Sequence, residues 1–302
     1  MFKIGEAEGV EIDILSDNEV DFDFANRVRF SLAEHGFSTI IKVRTKTSMI
    51  NILFDAGTSG DVVLKNAELA EIDLEDVDYI ILSHRHYDHV GGLLKIGLLK
   101  IIDNVNLRVP IICHPKIFEP SLAIKPFLRN VGPPFTSKQL SDKIASLLTT
   151  ISPMKIAEGI ITSGEIPRVT EYEKTEDFYA FDEKFHIVQD RLIDDSALII
   201  NVKDVGLVVV TGCGHSGLIN TLRHSLEITG VKRIYAVIGG FHLLKSTRDV
   251  LERTFKDLLE IGVEKIAPTH CSGIAIKALV LQRKPEMYLG AGVGSKILIG
   301  NP

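Results

Sequence analysis

The sequence predicts an α/β fold in which two mixed β-sheets carry helices on their outer faces and a lid is inserted between strands. Three observations predict this fold. Strand patterns alternate with helical patterns along most of the chain, several strand patterns end at a histidine, and a proline-rich stretch within residues 115–175 interrupts the alternation. Because loops held at one edge of a rigid scaffold commonly carry function, we expect the histidines to gather at one edge.

Composition limits the class of protein. The chain has 302 residues, of which 45% are hydrophobic and 25% are charged, so it can bury a large core. We interpret residues 1–302 as a single domain, with residues 115–175 as an inserted lid region. The net charge is −6 and no dense run of Lys or Arg is present, which argues against a nucleic-acid partner.

Targeting and cysteine patterns favour the cytoplasm. The first residues lack an apolar signal region, and no apolar run reaches the roughly 18 residues of a membrane span, so no membrane partner is expected. The three cysteines cannot complete a disulfide framework, which favours a reducing compartment. Each cysteine follows an apolar stretch, and Cys113 is interpreted as a core residue.

The first part of the chain has the pattern of a strand, a hairpin and two helices. The turn after the first strand contains Asn18, a candidate for substrate binding, and the hairpin delivers Asp55 to a strand end. Apolar patterns predict strands over 10–15, 38–43 and 50–54, helices over 61–71 and 93–99, and a helix or a loop over 24–34.

The densest signal is the segment DYIILSHRHYDHVGG, residues 78–92. A buried strand pattern delivers His84, His86, Asp88 and His89 into a loop that ends in a glycine pair. Imidazole and carboxylate groups bind divalent metals, and the first two histidines can face one ion while Asp88 and His89 face another. The spacing therefore predicts two ions. A solvated loop without metal is the alternative, and the density of the cluster argues against it.

Residues 115–175 are expected to cap the active site. One helix is predicted over 137–149, and prolines and glycines break the rest. Glu165 and Arg168 flank an Ile-Pro turn, where Arg168 could clamp a phosphate or carboxylate of a substrate, or form a surface ion pair instead. His114 follows the preceding strand pattern, and it either faces the site or has a structural role.

The second half of the chain repeats strand ends that carry metal-binding side chains. Cys213 and His215 follow a predicted hairpin, among glycines that let the backbone turn sharply, and His242 and His270 follow two further strands. The last strand-like pattern either closes a sheet or contacts a partner. The patterns predict strands over 197–202, 207–210, 233–238, 265–268 and 297–299, and helices over 218–230 and 250–261.

These phrases resemble the metallo-β-lactamase superfamily. The segment SHRHYDHVGG has the hallmark of that family, SH-x-H-x-DH-x-GG at the end of a strand. Other phrases resemble the branch that contains dihydropterin methyl-ribofuranosylaminobenzene-phosphate synthase: AEHGFS, ILFDAG, GEIPR, TGCGHSG, IGGFH and PTHCSG. The resemblance covers residues 10–273 and implies an αββα sandwich.

The resemblance also implies a ligand set. Cys213 occupies the phrase of a metal-bridging residue, and Asp55 lies behind the ligands and holds a histidine by a hydrogen bond. His242 competes with His215, and one firmly and one weakly bound ion is the alternative to two. Zinc is expected, and the donors also suit iron or manganese. The implied ligands are His84, His86 and His215 for one ion, and Asp88, His89 and His270 for the other.

Two divalent ions predict a hydrolase that uses a metal-bound hydroxide. Asp88 would orient the hydroxide, and His242 or His114 would protonate the leaving group. The first alternative is a pterin-dependent transferase resembling the synthase of that branch, in which Arg168 and the metals hold a phosphorylated or pterin-like small molecule under a lid that excludes water. The second alternative is a non-catalytic metal-binding protein. Because superfamily relatives are often dimers, a homodimer stays open.

Overall fold

Most strands of the chain assemble into two large sheets, and four short strands form a small third sheet. The computed structural model describes residues 3–28, 30–96, 109–141, 146–174 and 178–302, without the side chains of Arg27 and Ser141. The strands are β1 Gly9–Ser16, β2 Ser38–Arg44, β3 Met49–Phe54, β4 Tyr79–Ile81, β5 Pro110–Cys113, β6 Leu122–Ala123, β7 Arg129–Asn130, β8 Ser146–Thr149, β9 Met154–Ala157, β10 Ile160–Thr162, β11 Phe178–Phe181, β12 Ile187–Gln189, β13 Ala197–Val202, β14 Gly206–Thr211, β15 Ile234–Gly240, β16 Lys265–Thr269 and β17 Lys296–Gly300.

The helices are fewer, and several are short. Single 3-10 turns cover Pro115–Phe118, His270–Ser272 and Pro285–Met287. None of the helices within the described ranges combines the length and the apolar character needed to cross a bilayer. The α-helices are α1 Phe22–Arg27, α2 Asp61–Leu69, α3 Tyr87–Val90, α4 Leu93–Ile96, α5 Ser137–Ser141, α6 Leu218–Thr229, α7 Arg248–Ile261 and α8 Ile274–Arg283.

Both large sheets are mixed, as the sequence predicts. The first has the order β17-β1-β2-β3-β4-β5-β8, antiparallel from β17 to β3 and parallel from β3 to β8. The second has the order β16-β15-β14-β13-β10-β9, in which β14, β15 and β16 are parallel and the other neighbours are antiparallel. In each sheet the carboxyl ends of the parallel strands therefore meet at one edge.

The two sheets face each other across one hydrophobic core. Ile12 and Ile52 from the first sheet and Ile200 and Val208 from the second are buried in the same cluster. Because side chains alternate along a strand, the neighbouring residues face outward to the helices.

Helices cover both outer faces. Leu53 of the first sheet packs in a cluster with Val63 of α2, and Val209 of the second packs in a cluster with Leu222 of α6 and Phe255 of α7. The layers are therefore helix, sheet, sheet, helix.

The stretch expected to form one inserted lid is divided in the structure. Strands β6 and β7 join the small sheet, whose order is β12-β11-β6-β7, whereas β8, β9 and β10 belong to the two large sheets. The small sheet draws its other half, β11 and β12, from residues beyond 175. The lid predicted over 115–175 thus differs from the observed small sheet in both its boundaries and its continuity.

Three other elements differ from the sequence-based expectation. The helix predicted over 137–149 is α5 as far as Ser141, residues 142–145 lie outside the described part of the chain, and residues 146–149 form β8, which pairs in parallel with β5. The helix predicted over 93–99 is α4 as far as Ile96, and residues 97–99 lie outside the described part of the chain. Helix α8 was not predicted, and β17 closes the first sheet beside β1.

Candidate metal centre

Five strand ends bring the metal-binding side chains together. β3 and β4 of the first sheet lead into Asp55 and the histidine loop, residues 84–89, while β14, β15 and β16 of the second lead into the remaining side chains. The backbone N–H of His270 donates to Oδ1 of Asp17, 2.6 Å away, and so joins an end of the second sheet to the end of β1. The side chains delivered by the second sheet are Cys213, His215, His242 and His270.

The histidine loop packs directly against the turn that carries Asp55. The loop turns into α3, where the amides of His89 and Val90 donate to the carbonyl oxygen of His86 at 3.0 and 3.2 Å. A Cβ atom on Gly92 would lie 2.2 Å from the carbonyl oxygen of Ala56, so only glycine allows this approach.

His84, His86 and His215 form the first ligand group. Their ring centroids lie 4.7, 4.8 and 4.8 Å apart, and all three side chains are buried. Nε2 of His215 lies 3.2 Å from Nδ1 of His86. One ring nitrogen from each residue lies within 4.8 Å of the other two, a spacing that one metal ion can bridge.

Asp88, His89 and His270 form the second ligand group. Nε2 of His270 lies 3.3 Å from both Nε2 of His89 and Oδ2 of Asp88, and the last two atoms are 3.9 Å apart. Sγ of Cys213 lies 3.1 Å from Nε2 of His89. Cys213 also forms a potential ligand set with His84 and His89, so it lies between the two groups.

Hydrogen bonds behind the rings assign the proton to one nitrogen of His84 and of His89. Asp55 accepts from the backbone N–H of Ser83 and from Nδ1 of His89, both at 2.7 Å. Oγ of Ser83 donates to Asp55 at 2.7 Å, so it accepts from Nδ1 of His84 at 2.9 Å. Both rings carry their proton on Nδ1 and present a lone pair at Nε2.

Two further rings are oriented in the same way. Nδ1 of His270 donates to Oδ1 of Asn18 at 2.9 Å, which leaves the lone pair on Nε2. Nε2 of His86 donates to Oγ of Ser121 at 3.3 Å, and that hydroxyl donates to Asp190 at 3.0 Å. The lone pair of His86 is therefore on Nδ1, the atom that faces His215.

In the neutral tautomers these lone pairs converge with no N–H group between them. Nε2 of His89 faces Nε2 of His270, and Nε2 of His84 is buried with no hydrogen-bond partner. Facing lone pairs repel unless a cation lies between them. With metal–nitrogen bonds of the usual length, neighbouring ligand atoms of a tetrahedral centre are about 3.3 Å apart. The observed separations of 3.2 and 3.3 Å match this spacing, so the donors present fit divalent metal ions.

Three site residues have left-handed backbone. The φ angle is 58° at Asp55, 51° at His242 and 46° at His270. Residues other than glycine rarely adopt this conformation, and where they do it often marks a functional site. The strand ends that carry these residues are therefore held in a specific, costly conformation.

Charges in the centre favour neutral rings in one group and a positive charge in the other. Burial lowers the pKa of His84 well below its usual value and that of His86 to about 3. Burial also opposes a charge on His89, but Asp55 and Asp88 outweigh it and raise its pKa to about 9. Burial raises the pKa of Asp88, whereas the neighbouring His89 lowers it, and the net result is a pKa below the usual value. The second group therefore favours a cation, either a proton or a metal ion.

A cavity of about 170 Å³ lies against both ligand groups. Histidines and Asp88 line its base, Phe178, Val131 and Leu244 provide apolar walls, and the cationic Arg129 and Lys245 also line it. The ring of Phe178, from β11 of the small sheet, lies 4.7 Å from the ring of His86. The small sheet thus contributes directly to the cavity wall.

Comparison with known proteins assigns the family. A family model described as the metallo-beta-lactamase superfamily matches residues 34–116, which include the histidine loop. The chain is 33% identical, over 296 residues, to 7,8-dihydropterin-6-methyl-4-(beta-D-ribofuranosyl)-aminobenzene-5'-phosphate synthase of Methanocaldococcus jannaschii, covering 95% of this chain and 96% of the relative. The chain belongs to the metallo-β-lactamase superfamily. A second, uncharacterised protein of the same archaeon is 34% identical over 286 residues, covering 95% of this chain and 99% of that protein.

Solved structures agree with membership of the metallo-β-lactamase superfamily. Tm1679, described as a metal-dependent hydrolase of the β-lactamase superfamily, has a TM-score of 0.73 and 28% identity, over 95% of this chain and 98% of that one. YhfI of Bacillus subtilis shares the fold at a TM-score of 0.53 and 12% identity, over 96% and 99% of the two chains. The predicted fold class and family are confirmed.

Three predicted site residues of this superfamily member lie apart from both the cavity lining and the side chains of the ligand groups. Nε2 of His114 and Oε1 of Glu165 are 3.0 Å apart and pair with each other. Arg168 donates to the carbonyl oxygens of His215, at 2.5 Å, and Leu192, at 2.9 Å. These contacts differ from the expected substrate clamp, because they make Arg168 a support for the loop that carries His215.

Two other predicted residues lie close to the ligands. Asn18, expected to bind substrate, holds Nδ1 of His270 and lies 3.3 Å from Nδ1 of His35. His242 lines the cavity, with its ring centroid 4.2 Å from that of His215. His242 therefore faces the space that a substrate would occupy, whereas Asn18 lies behind a ligand.

Arg85 and His35 are among the residues of the centre that sequence reasoning missed. Arg85 is buried between Asp190 and Asp194 and forms an ion pair with each. Burial opposes its charge, but the two carboxylates outweigh it and raise its pKa. Nε2 of His35 lies 3.2 Å from Oδ2 of Asp88, which raises the pKa of His35. The sequence offered one signal for each residue. Arg85 lies between two candidate ligand histidines, and His35 is the histidine of the phrase AEHGFS.

Proposed function

We propose that this protein is a metal-dependent hydrolase with two divalent ions, zinc in the first instance. His84, His86 and His215 would hold one ion, and Asp88, His89 and His270 the other, with Cys213 between them. The observation that carries the proposal is the convergence of four imidazole lone pairs and one carboxylate beside a cavity that His86, Asp88 and His270 line. When bound, such ions supply Lewis acidity toward a substrate oxygen and acidify a nearby water.

The protein's own groups provide proton transfer. Oδ2 of Asp88, held 3.2 Å from His35 and 3.3 Å from His270, can orient a water and accept its proton. His242 lines the cavity, whereas His114 pairs with Glu165 away from it. We therefore assign protonation of the leaving group to His242 in preference to His114.

The cavity favours a small anionic substrate. Arg129 and Lys245 supply positive charge in its lining, and Phe178 supplies an aromatic surface whose ring lies 4.7 Å from that of His86. Guanidinium and ammonium groups are common partners of phosphate. A phosphorylated molecule with an apolar or aromatic part fits this arrangement.

A second candidate function is favoured by a specific observation, the full-length similarity to the dihydropterin-aminobenzene synthase. The product in that relative's name joins a dihydropterin methyl group to an arylamine. In such a transfer a C–N bond forms between the amine nitrogen and the 6-methyl carbon, a leaving group departs from that carbon, and the amine loses a proton. Asp88 could accept this proton, and Phe178 could pack against an aromatic ring.

The two candidates can be tested on one set of samples. Protein stripped by a chelator is restored with Zn²⁺, Mn²⁺ or Fe²⁺ and assayed for hydrolysis of bis-p-nitrophenyl phosphate. In parallel, it is assayed for coupling of 4-(β-D-ribofuranosyl)aminobenzene 5'-phosphate to a dihydropterin with a leaving group on its 6-methyl carbon. His84→Ala should reduce metal-dependent turnover at least about 100-fold. His186→Ala changes an exposed histidine elsewhere and should leave turnover unchanged.

Each outcome selects one interpretation. Metal-dependent hydrolysis in the wild type supports the hydrolase. Coupling without hydrolysis supports the transferase in its place. Uptake of two equivalents of metal without either turnover favours a metal-binding role, and turnover that survives both chelation and His84→Ala contradicts the proposed site.

A further inference from the structure

A second set of potential ligands lies beside the histidine groups. Cys213, His242 and Cys271 each place one ligand atom within 4.8 Å of the other two. Both cysteines are free and buried, and all three residues line the cavity. The set shares only Cys213 with the ligands described above.

The loops that carry this set are fastened to each other. The backbone N–H of Phe241 donates to Oγ of Ser272 at 3.0 Å, and that of Leu244 donates to the carbonyl oxygen of Cys271 at 3.1 Å. The thiol of Cys271 donates to the carbonyl oxygen of Cys213 at 3.4 Å. His242 and Cys271 therefore keep their relative positions without a ligand.

Close packing supports the same arrangement. A Cβ atom on Gly240 would lie 2.7 Å from Sγ of Cys271, so a side chain at this position would displace the sulfur. The left-handed φ of 51° at His242, two residues later, fixes the direction of the chain there. The ligand atoms are thus arranged by the local backbone on both sides.

We propose that Cys213, His242 and Cys271 form a further cation site for a soft or borderline divalent ion such as Zn²⁺ or Cd²⁺. Two thiolates and one imidazole are the donors that these ions prefer, and Mg²⁺ and Ca²⁺ prefer oxygen donors. With three protein ligands, the ion keeps a fourth position open toward the cavity. Binding one ion releases two thiol protons, and the two thiolates balance its charge. The site can form whichever of the two reactions the protein catalyses, but an ion on His242 would compete with the proton transfer assigned to that residue above.

Cobalt provides a direct test. Reduced, metal-free protein is titrated with Co²⁺, and the near-ultraviolet absorbance of thiolate-to-cobalt charge transfer is followed. Wild type should show a band that Cys271→Ser reduces about twofold and that the double variant Cys213→Ser/Cys271→Ser abolishes. Cys113→Ser is the matched control, because Cys113 is also free and buried but lies outside the cavity lining. It should leave the band unchanged.

The imidazole is tested separately. His242→Ala should keep the charge-transfer band but change the visible ligand-field bands of cobalt and weaken its affinity at least about tenfold. An unchanged spectrum and affinity in this variant would remove His242 from the site. A Cys271→Ser band equal to that of wild type would leave Cys213 as the sole thiolate ligand and overturn the proposal.

A measurement on the wild type avoids variants that fold poorly. Zn²⁺ should slow alkylation of Cys213 and Cys271 by N-ethylmaleimide at least about tenfold, as followed by peptide mass spectrometry, without changing alkylation of Cys113. Protection of Cys213 alone, or equal alkylation of Cys271 with and without zinc, would contradict the proposed site.

Discussion

At the scale of single residues, one carboxylate orients ligands of both metal groups. Asp55 accepts from His89 directly and from His84 through Ser83. Such partners set the tautomer and the basicity of a metal-binding imidazole. The left-handed φ of 58° at Asp55 is also a conformation that aspartate and asparagine tolerate better than most residues.

The substitution Asp55→Asn should therefore weaken zinc binding about 10- to 100-fold while keeping the fold. The amide keeps the shape of the side chain. It lacks the negative charge, however, and has only one oxygen to accept the hydrogen bonds from Ser83 and His89. Competition with a chromophoric chelator measures the affinity. Asp61→Asn is the control, because that carboxylate lies on the surface of α2 with a side-chain exposure of 65%. Equal zinc affinity in wild type and Asp55→Asn would contradict this role.

Arg129 is the residue through which the preference for an anion can be tested. If it contacts a substrate phosphate, Arg129→Gln should raise KM for a phosphorylated substrate about tenfold, the usual effect of losing a charge-assisted hydrogen bond, and change kcat less. Steady-state kinetics with and without the phosphate group on the substrate provide the measurement. Arg253→Gln removes a guanidinium that lies over Tyr172 instead, so it should leave KM unchanged.

The clustering of the candidate ligand histidines was predictable, and the residues that support them were not. His84, His86 and His89 lie close together in the sequence and follow a strand, so the local sequence alone indicates a metal-binding cluster. The partners of Arg85 are more than 100 residues away, and only the tertiary fold brings them together. Arg168 has the right chemistry for a phosphate clamp, but its backbone partners, the carbonyls of His215 and Leu192, carry no sequence signal.

At the scale of elements, the start of α6 depends on one partly buried carboxylate. Oε1 and Oε2 of Glu173 accept from the amides of Ile219 and Asn220 at 2.7 and 2.9 Å. Burial raises the pKa of Glu173 to about 7, and the nearby Asp257 raises it further. The two backbone hydrogen bonds and Arg223 lower the pKa, but by less. Because the ordinary pKa of glutamate is lower, the folded state holds a proton that the unfolded chain releases.

The free energy of unfolding should consequently fall as the pH rises from about 4.5 to 7, by at most about 3 kcal/mol from this group. Glu173→Gln should remove that part of the decline. Urea unfolding of wild type and variant at pH 5 and pH 8 gives the difference, with the exposed Glu171→Gln as control. The same pH dependence in Glu173→Gln as in wild type would show that this carboxyl does not titrate in the range.

Strand β17 offers a second test at this scale, because adjacent residues face opposite sides. Ile299 is 4% exposed and belongs to the core between the sheets, whereas Leu298 is 57% exposed. Ile299→Asp should lower the free energy of unfolding by about 3 kcal/mol or more, since it buries an unpaired charge. Leu298→Asp should change it by less than about 0.5 kcal/mol. Similar effects of the two substitutions in urea unfolding would contradict the observed register.

Elements with strong periodicity and the two hairpins, β2 with β3 and β13 with β14, were predictable, and the pairing of strands far apart in the sequence was not. The amphipathic pattern of α7 and the apolar runs of β13 and β14 predict their type without any partner. Residues 146–149 become a strand because they pair with β5, which the local sequence does not indicate. The lid differs for the same reason: within residues 115–175, β6 and β7 belong to the small sheet, and β8, β9 and β10 belong to the large sheets.

At the scale of the whole molecule, the metal ligands come from both sheets. His84, His86 and His89 follow β4 of the first sheet, and His215 and His270 follow strands of the second. Ions held by these side chains would join the two sheets across the edge of the core.

Zinc should therefore raise the melting temperature by several degrees, since a ligand at 1,000 times its dissociation constant stabilises the folded state by about 4 kcal/mol. Calorimetry with zinc and with a chelator measures the shift. The response should disappear in His84→Ala/His89→Ala and persist in His186→Ala, which lies on the surface. A melting temperature that does not respond to zinc in wild type would contradict a centre that joins the sheets.

The spread of the ligands along the chain also orders events during synthesis. The histidine loop leaves the ribosome early, whereas His270 leaves it late. The hydrogen bonds of His270 to Asp17 and Asn18 span 253 and 252 residues of the chain. Until residue 270 has emerged, the nascent chain carries closely spaced imidazoles without the second group that completes their coordination. If the proposed centre binds metal, its full set of ligands exists only after residue 270 has emerged, and loading would come late in synthesis or after it.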